Sequence, residues 1–243
     1  MTETVKETTT MRRFDVARLL TILIRPREAF APMSADKRGT WLTPMLALTL
    51  SSILAIVASG YLKTQAALEG VTELPPDWQY WTPDMQQSFM DAQQTAQGPL
   101  VNYALPMIGA LVVLWLGWIV FSGVMRLVST LLGGRGSMQS ALNVVGWAGT
   151  PFIIRDILRA LFMLITNRQV SSPGLSGFAE TGFFSQLLAR TDLFFFWNIA
   201  LLAIGFSIVD GLPKRKTLIG TLVVVILWLM IQAGAGAAIA NLG

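Results

Sequence analysis

Long uncharged apolar stretches alternate along the chain with short segments that carry most of its charged residues. An α-helix needs about 20 mainly apolar residues to cross a hydrocarbon core that is about 30 Å thick. Five stretches meet this requirement: 41–62, 100–125, 141–165, 192–212 and 217–240. The pattern therefore predicts an all-α fold, a polytopic membrane helix bundle with five transmembrane helices.

The third stretch differs from the other four because it contains a proline and three ionised side chains. Pro151 removes one backbone hydrogen bond from a helix, and Arg155, Asp156 and Arg159 follow it within about three turns. A lone charge at the bilayer centre costs roughly 2.5 to 3.5 kcal/mol on insertion scales, so such residues usually face protein or water. The spacing predicts that Asp156 pairs with Arg159, and Asp210 is a further candidate partner.

Three interpretations of this charged cluster are open at the level of sequence. In the first, Pro151 breaks the span and the arginines extend to the membrane interface. In the second, the charges form a structural ion pair that holds helices together. In the third, Arg155 and Arg159, which lie one turn apart on the same helical face, line a pathway for a substrate or lipid.

Basic residues are concentrated on one side of the membrane if the N-terminus is cytoplasmic. The cytoplasmic segments then contain thirteen lysines and arginines, and the external segments contain three, with Arg155 and Arg159 counted as intramembrane. Cytoplasmic loops carry an excess of such residues. The count predicts a cytoplasmic N-terminus, an external C-terminus and an acidic external loop over residues 63–99.

Two surfaces on the external side are candidates for contact with a partner. The loop contains Trp78, Tyr80 and Trp81, followed by a helix predicted from Pro83 to about Gln97. Such aromatic rings commonly rest at the membrane interface, and a partner-binding ridge is the alternative. Small residues near the end of the last stretch permit close helix packing and indicate a second contact surface: Gly234 and Gly236.

Residues 11–40 form a basic region after a polar tail over residues 1–10. Phe14, Ala17, Leu20 and Ile24 recur at helical spacing, which predicts an amphipathic helix on the inner leaflet. Each basic residue near an anionic leaflet contributes roughly 1 kcal/mol to binding. Attraction to membrane lipids therefore accounts for the net charge of +4, and we expect no nucleic acid as a partner. Five residues are expected to contact anionic lipid: Arg12, Arg13, Arg18, Arg25 and Arg27.

The chain contains no cysteine and no histidine. This composition excludes disulfides, thiolate nucleophiles, Cys/His zinc sites and imidazole acid–base chemistry. The glycine-rich segment 133–137 lacks the Gly-Lys-Ser/Thr ending of a phosphate-binding loop and is predicted to be a cytoplasmic turn. We therefore expect no enzymatic activity, no cofactor and no metal site.

Two short patterns resemble a known family. Residues 25–33 read RPREAFAPM, and after a polar linker Trp41, Leu42 and Pro44 open the first span. Residues 143–152 read NVVGWAGTPF, an apolar segment that leads to a proline. Together they resemble the Yip family, the Ypt/Rab-interacting-protein-domain membrane proteins, and in particular its prokaryotic branch.

The resemblance implies a membrane topology and a function. Over residues 25–240 it implies a cytoplasmic N-terminus followed by five spans in the cytoplasmic membrane of a prokaryote. It also implies binding to other membrane proteins, with an ABC-type export permease as the partner, so we expect a non-enzymatic accessory or scaffolding subunit. The alternative is a small transporter or channel in which Arg155 and Arg159 bind or conduct an anionic substrate or lipid.

Overall fold

The computed structural model describes residues 14–34, 38–68, 75, 77–96, 98–180 and 182–240. Within these residues the fold is all-helical and contains no strand, which confirms the predicted class. A π-helical segment, Leu100–Ala104, leads directly into the helix that begins at Leu105. The helices are α1 (Ala17–Ile24), α2 (Pro26–Phe30), α3 (Leu42–Leu68), α4 (Pro83–Ala96), α5 (Leu105–Leu131), α6 (Met138–Ala148), α7 (Thr150–Thr166), α8 (Phe183–Ala189), α9 (Leu193–Val209) and α10 (Lys214–Ala240).

Among the described residues, three helices are long and apolar enough to cross a membrane. They are Leu42–Ala66, Leu100–Leu131 and Lys214–Ala238, which correspond to the first, second and fifth predicted spans. The fourth predicted span corresponds to α9, which forms a further candidate span together with α8 across a bend of 69°. The structure thus has three to four candidate spans, and the total of five and the orientation stay predictions.

The third predicted span, residues 141–165, is divided into two helices at Gly149. The parts are α6, with 11 residues, and α7, with 17 residues, and each is shorter than the about 20 residues that a span needs. Pro151 lies in the first turn of α7, where its missing N–H is tolerated. The break therefore lies just before the proline.

Side chains replace the backbone donors that the break removes. Pro151 has no N–H for the carbonyl of Trp147, and the Thr150 hydroxyl donates to that carbonyl over 2.5 Å instead. The Asn198 side chain, on α9, donates through Nδ2 to the carbonyl of Ala148 over 2.8 Å. Both buried acceptors are thereby satisfied, as a dry environment requires.

The short α2 helix anchors the N-terminal region to the bundle. Pro26 begins this helix because its fixed φ suits the first helical turn. Ala29, Phe30 and Met33 are buried in the main core, which also contains Trp147. The RPREAFAPM segment is therefore a packing element.

Asn143 on α6 joins this core to the start of α3. The side chain is 1% exposed, and its Oδ1 accepts hydrogen bonds from the backbone N–H groups of Thr40 at 2.9 Å and Trp41 at 3.2 Å. Its Nδ2 donates to the carbonyl of Arg38 over 2.8 Å. One buried amide thus binds three backbone groups of residues 38–41, directly before α3 begins.

The α5 helix contacts α3 and α10 at different heights. The rings of Trp41, just before α3, and Trp118, in the middle of α5, have centroids 4.8 Å apart. Near the start of α10, a Cβ at Gly220 would approach Val128 to 3.2 Å, close to the end of α5. The two contact points on α5 are ten residues apart, which corresponds to about 15 Å of helix. The start of α3 and the second turn of α10 therefore contact α5 at different heights.

Candidate functional site

An ion-paired cluster joins α7 to the start of α9. On α7, Arg155 Nε donates to Asp156 Oδ1 over 3.2 Å, and its Nη1 lies 3.9 Å from Asp192 Oδ2. Arg159 Nη2 lies 3.5 Å from the same Asp192 oxygen. Two arginines of α7 thus share one carboxylate that belongs to another helix, and the charges compensate one another where water is scarce.

The partners differ from those predicted from spacing. Asp156 pairs with its neighbour Arg155 and accepts a hydrogen bond from the Ser52 hydroxyl at 3.3 Å, so the prediction that it pairs with Arg159 is wrong. Adjacent residues point about 100° apart on a helix, and the long Arg155 side chain spans this angle. Asp210 does not join the cluster, because its carboxylate accepts a hydrogen bond from the Ser129 hydroxyl on α5.

Asp192 is a member of the cluster that the sequence reasoning missed. It is the N-cap of α9, where its Oδ1 accepts a hydrogen bond from the Phe195 N–H over 2.9 Å. Its other carboxylate oxygen is therefore held towards α7. An aspartate directly before an apolar run is a typical N-cap pattern, and this signal could have identified it.

A cavity of about 390 Å³ lies beside this cluster. Residues of α3, α5, α7, α9 and α10 line it, together with residues at the α6–α7 break and at the α8–α9 bend. Most of the wall is apolar, and the polar lining residues are Ser52, Arg155, Asp156, Arg190, Asn198 and Gln232. A concave site with an apolar wall and a few convergent polar groups is the usual form of a ligand pocket.

Arg190 lines the cavity, although the sequence placed it among the basic residues of the external loops. It lies at the bend between α8 and α9, and its Nη1 donates to the carbonyl of Gln186 over 2.7 Å and to the Gln186 side chain over 3.0 Å. Within the part of the chain that the structure describes, no carboxylate lies within ion-pair distance of this guanidinium. Arg159, in contrast, pairs with Asp192 and does not line the cavity.

Asp192→Asn tests the contribution of the ion pairs to stability. The asparagine retains the N-cap acceptor but leaves Arg155 and Arg159 with less compensation, so we expect a loss of about 1 to 2 kcal/mol, reduced from the value for a fully buried pair because the groups are partly exposed. Thermal unfolding of the protein in a mild detergent measures this loss of stability. Glu28→Gln breaks the exposed pair with Arg25 and is the control, with no measurable shift expected. Equal shifts in both variants would contradict a structural role of Asp192.

The three aromatic residues proposed as a partner-binding ridge do not share one environment. The rings of Trp78 and Trp81 pack on Phe89 of α4, with centroids 5.4 Å and 5.7 Å away, and are half-buried. Gln86 Nε2 donates to the carbonyl of Trp78 over 3.0 Å and closes this small cluster. Tyr80 points outward and is 81% exposed. Two of the three rings therefore hold the turn against α4, which spans Pro83–Ala96 as predicted within one residue.

The basic N-terminal residues also occupy different environments. Arg18 pairs with Asp15 at 3.3 Å and lies over the ring of Trp147, so it faces the bundle. Arg25 and Arg27 are exposed and available to anionic lipid. Arg12 and Arg13 lie outside the described residues.

The two faces of α1 differ in how deeply their side chains are buried. Ile22 is fully buried against the bundle, whereas Leu20 and Ile24 are 67% and 77% exposed. Both faces are apolar, so the helix packs on protein with one and presents the other to its surroundings. The exposed apolar face suits contact with lipid, and the position of the helix on the inner leaflet stays a prediction.

The two glycines near the end of α10 have different surroundings. A Cβ at Gly234 would meet nothing within 4 Å, so its face of the helix is open. A Cβ at Gly236 would lie 2.8 Å from the Gln186 side chain and 3.4 Å from Arg190 Nη2. Gly236 therefore makes room for Arg190 and its hydrogen-bond partner Gln186. The small residue permits packing within this chain.

The glycine-rich segment 133–137 connects α5 to α6 and wraps around Asp210. The Arg135 N–H donates to the carbonyl of Asp210 over 3.2 Å, and a Cβ at Gly136 would overlap the Asp210 carboxylate. The glycines thus permit close approach of the turn to a buried acid. The segment is a turn, as predicted from the sequence.

Comparison with known proteins gives one match. A family model described as the Yip1 domain matches residues 20–236. No curated protein and no solved structure matches the chain. The matched segment begins within α1 and ends within α10, so it includes the ion-paired cluster and the cavity.

Proposed function

The chain belongs to the Yip1 domain family, and on that premise we propose that it is a non-enzymatic accessory protein that binds other membrane proteins within the bilayer. The family match confirms the resemblance to the Yip family, and the prokaryotic branch stays a prediction. A multi-pass membrane protein of the Yip type follows from the match and from the apolar helices. The accessory role goes further and rests on the exposure of α5.

The α5 helix is much less covered than the other long helices. In its most apolar 18-residue window 6% of residues are buried, whereas the value for the windows of α3 and α10 is 33%. Exposed apolar residues recur at helical spacing along one side of the helix, among them Ile108, Val112, Leu116 and Ile119. A helix with so little protein around it can pack side by side with a transmembrane helix of another protein, and van der Waals packing drives such association in lipid.

We propose an ABC-type export permease as the partner, because the resemblance to prokaryotic Yip-domain proteins implies it. The chain then lies in the cytoplasmic membrane of a prokaryote. The thirteen-to-three distribution of basic residues supports a cytoplasmic N-terminus.

Crosslinking from α5 tests this proposal. A photoreactive phenylalanine derivative replaces Leu116, which is 59% exposed, and a matched protein carries it at Trp118, which is 7% exposed. We expect the Leu116 position to crosslink to permease subunits in native membranes and the Trp118 position to crosslink within the chain. The same permease should co-purify in a fixed ratio from mild detergent.

Two results would overturn the accessory role. One is a chain that migrates alone from mild detergent and crosslinks only to lipid from Leu116. The other is equal capture of the same proteins from both positions, since Trp118 lies within the bundle and capture from it would not report on the exposed face.

A further inference from the structure

The cavity beside the ion-paired cluster has an excess of positive charge. Arg155 and Arg190 line it with one carboxylate, that of Asp156, which is already bonded to Arg155. Arg190 donates only to uncharged acceptors of Gln186, and its Nη2 makes no hydrogen bond to any described residue. A guanidinium without a counter-ion in a poorly hydrated site favours an anion, and its planar donors suit a phosphate or a carboxylate.

The rest of the cavity wall suits a hydrocarbon chain. Leu48, Trp118, Phe121, Phe195 and Trp228 come from four helices and form an apolar surface next to the arginines. Burial of each methylene group against such a wall contributes about 0.8 kcal/mol. An anion without an apolar chain would leave this surface unused.

The position of the rim shows how such a molecule could enter. Val113 on α5 lines the cavity and is 65% exposed on the outer surface of the bundle. Because α5 lies in a candidate membrane span, this opening faces the apolar surroundings of the bundle. A molecule already in the bilayer reaches the cavity sideways, without crossing a polar surface.

We propose that the cavity binds one anionic amphiphile, with its phosphate or carboxylate between Arg155 and Arg190 and its chain along the apolar wall. The proposal concerns binding; conduction of an anion through the bundle stays a prediction. It does not depend on the accessory role, because it requires the purified chain alone.

The charged end is tested with two arginine variants. Arg190→Gln removes the unpaired guanidinium, and Arg168→Gln removes an equal charge from an exposed side chain that does not line the cavity. Native mass spectrometry in nanodiscs of phosphatidylcholine measures retention of added phosphatidylglycerol or palmitate. We expect affinity to fall about ten-fold in Arg190→Gln and to change less than about two-fold in Arg168→Gln.

The apolar wall is tested with two glycine variants of α5. A Cβ at Gly117 would lie 3.7 Å from Trp228, so Gly117→Leu is accommodated at its Cβ and extends into the cavity. A Cβ at Gly109 would meet nothing within 4 Å, and Gly109→Leu is the control with the same change in helix propensity. We expect Gly117→Leu to lower affinity for both amphiphiles about ten-fold, and Gly109→Leu to retain it.

The ligand panel decides between sources of the anion. Binding of phosphatidylglycerol but not palmitate, or the reverse, supports the proposal and identifies the headgroup chemistry. Retention of phosphatidylcholine with equal affinity, or of inorganic phosphate with equal affinity, would overturn it. Wild-type affinity in both Arg190→Gln and Gly117→Leu would also overturn it, whether or not a permease co-purifies. Melting temperatures of all four variants, measured without ligand, separate a binding defect from misfolding.

Discussion

Asn143→Leu is expected to lower the apparent melting temperature of the detergent-purified protein by about 6 to 12 °C. The leucine leaves the N–H groups of Thr40 and Trp41 and the carbonyl of Arg38 without their buried partner. Each unsatisfied group costs about 1 to 3 kcal/mol, and a total of about 3 kcal/mol corresponds to this shift for a chain of this size. Size-exclusion chromatography after heating at graded temperatures measures the loss of folded protein.

Two further variants show whether the amide itself is responsible. Asn143→Asp retains the acceptor for Thr40 and Trp41 but loses the donor to Arg38, so an intermediate shift is expected. Gln94→Leu replaces an exposed amide on α4 and should unfold with the wild type. If Asn143→Leu melts at the wild-type temperature, the amide does not hold the entry to α3.

Gly205→Val is expected to destabilise the protein by about 3 kcal/mol, near the upper end of the usual range for overpacking a buried site. A Cβ at this position of α9 would lie 2.6 Å from Val144 Cγ1 and 3.0 Å from the ring of Phe30. All three elements are in the main core, and none of the neighbouring atoms can retreat without displacing another buried group. The melting temperature and the yield of monodisperse protein report the effect.

Gly234→Val is the matched control for Gly205→Val. It makes the same substitution within a helix, but a Cβ at Gly234 meets nothing within 4 Å, so only the small change in helix propensity remains. In Gly205→Val, the added change Val144→Ala should recover part of the stability, because it removes the nearest contact. Equal stability of the two single variants would show that α2, α6 and α9 are not closely packed at this point.

The long helices could be predicted because the signal for each lies within one run of consecutive residues. Apolar length alone indicates α3, α5 and α10, and the observed helices extend the predicted ranges by at most six residues at either end. Pro26 and Pro83 mark the starts of α2 and α4 for a local steric reason that also needs no partner. The RPREAFAPM segment could also be recognised from the sequence, because its buried residues lie close together along the chain.

The candidate site was only partly predictable, because its residues come together across helices. Arg155 and Asp156 were identified from their own segment, but Asp192 and Arg190 join them only after α8 and α9 fold back towards α7. The break at Gly149 depends on Asn198, which is 50 positions away from its acceptor in sequence. Neither the composition of the chain nor the spacing of residues within one segment indicates these contacts between helices.

The stagger of α3 and α10 along α5 has a consequence for the surrounding lipid. The contacts of Trp41 and Gly220 lie about 15 Å apart along α5, which is half of a hydrocarbon core about 30 Å thick. We expect the lipid to thin or thicken locally, or the helices to tilt, so that both apolar ends are covered. Each ångström of hydrophobic mismatch costs a fraction of a kcal/mol. We therefore expect the tilt of these helices and the thickness of the surrounding bilayer to depend on acyl-chain length, independently of any headgroup.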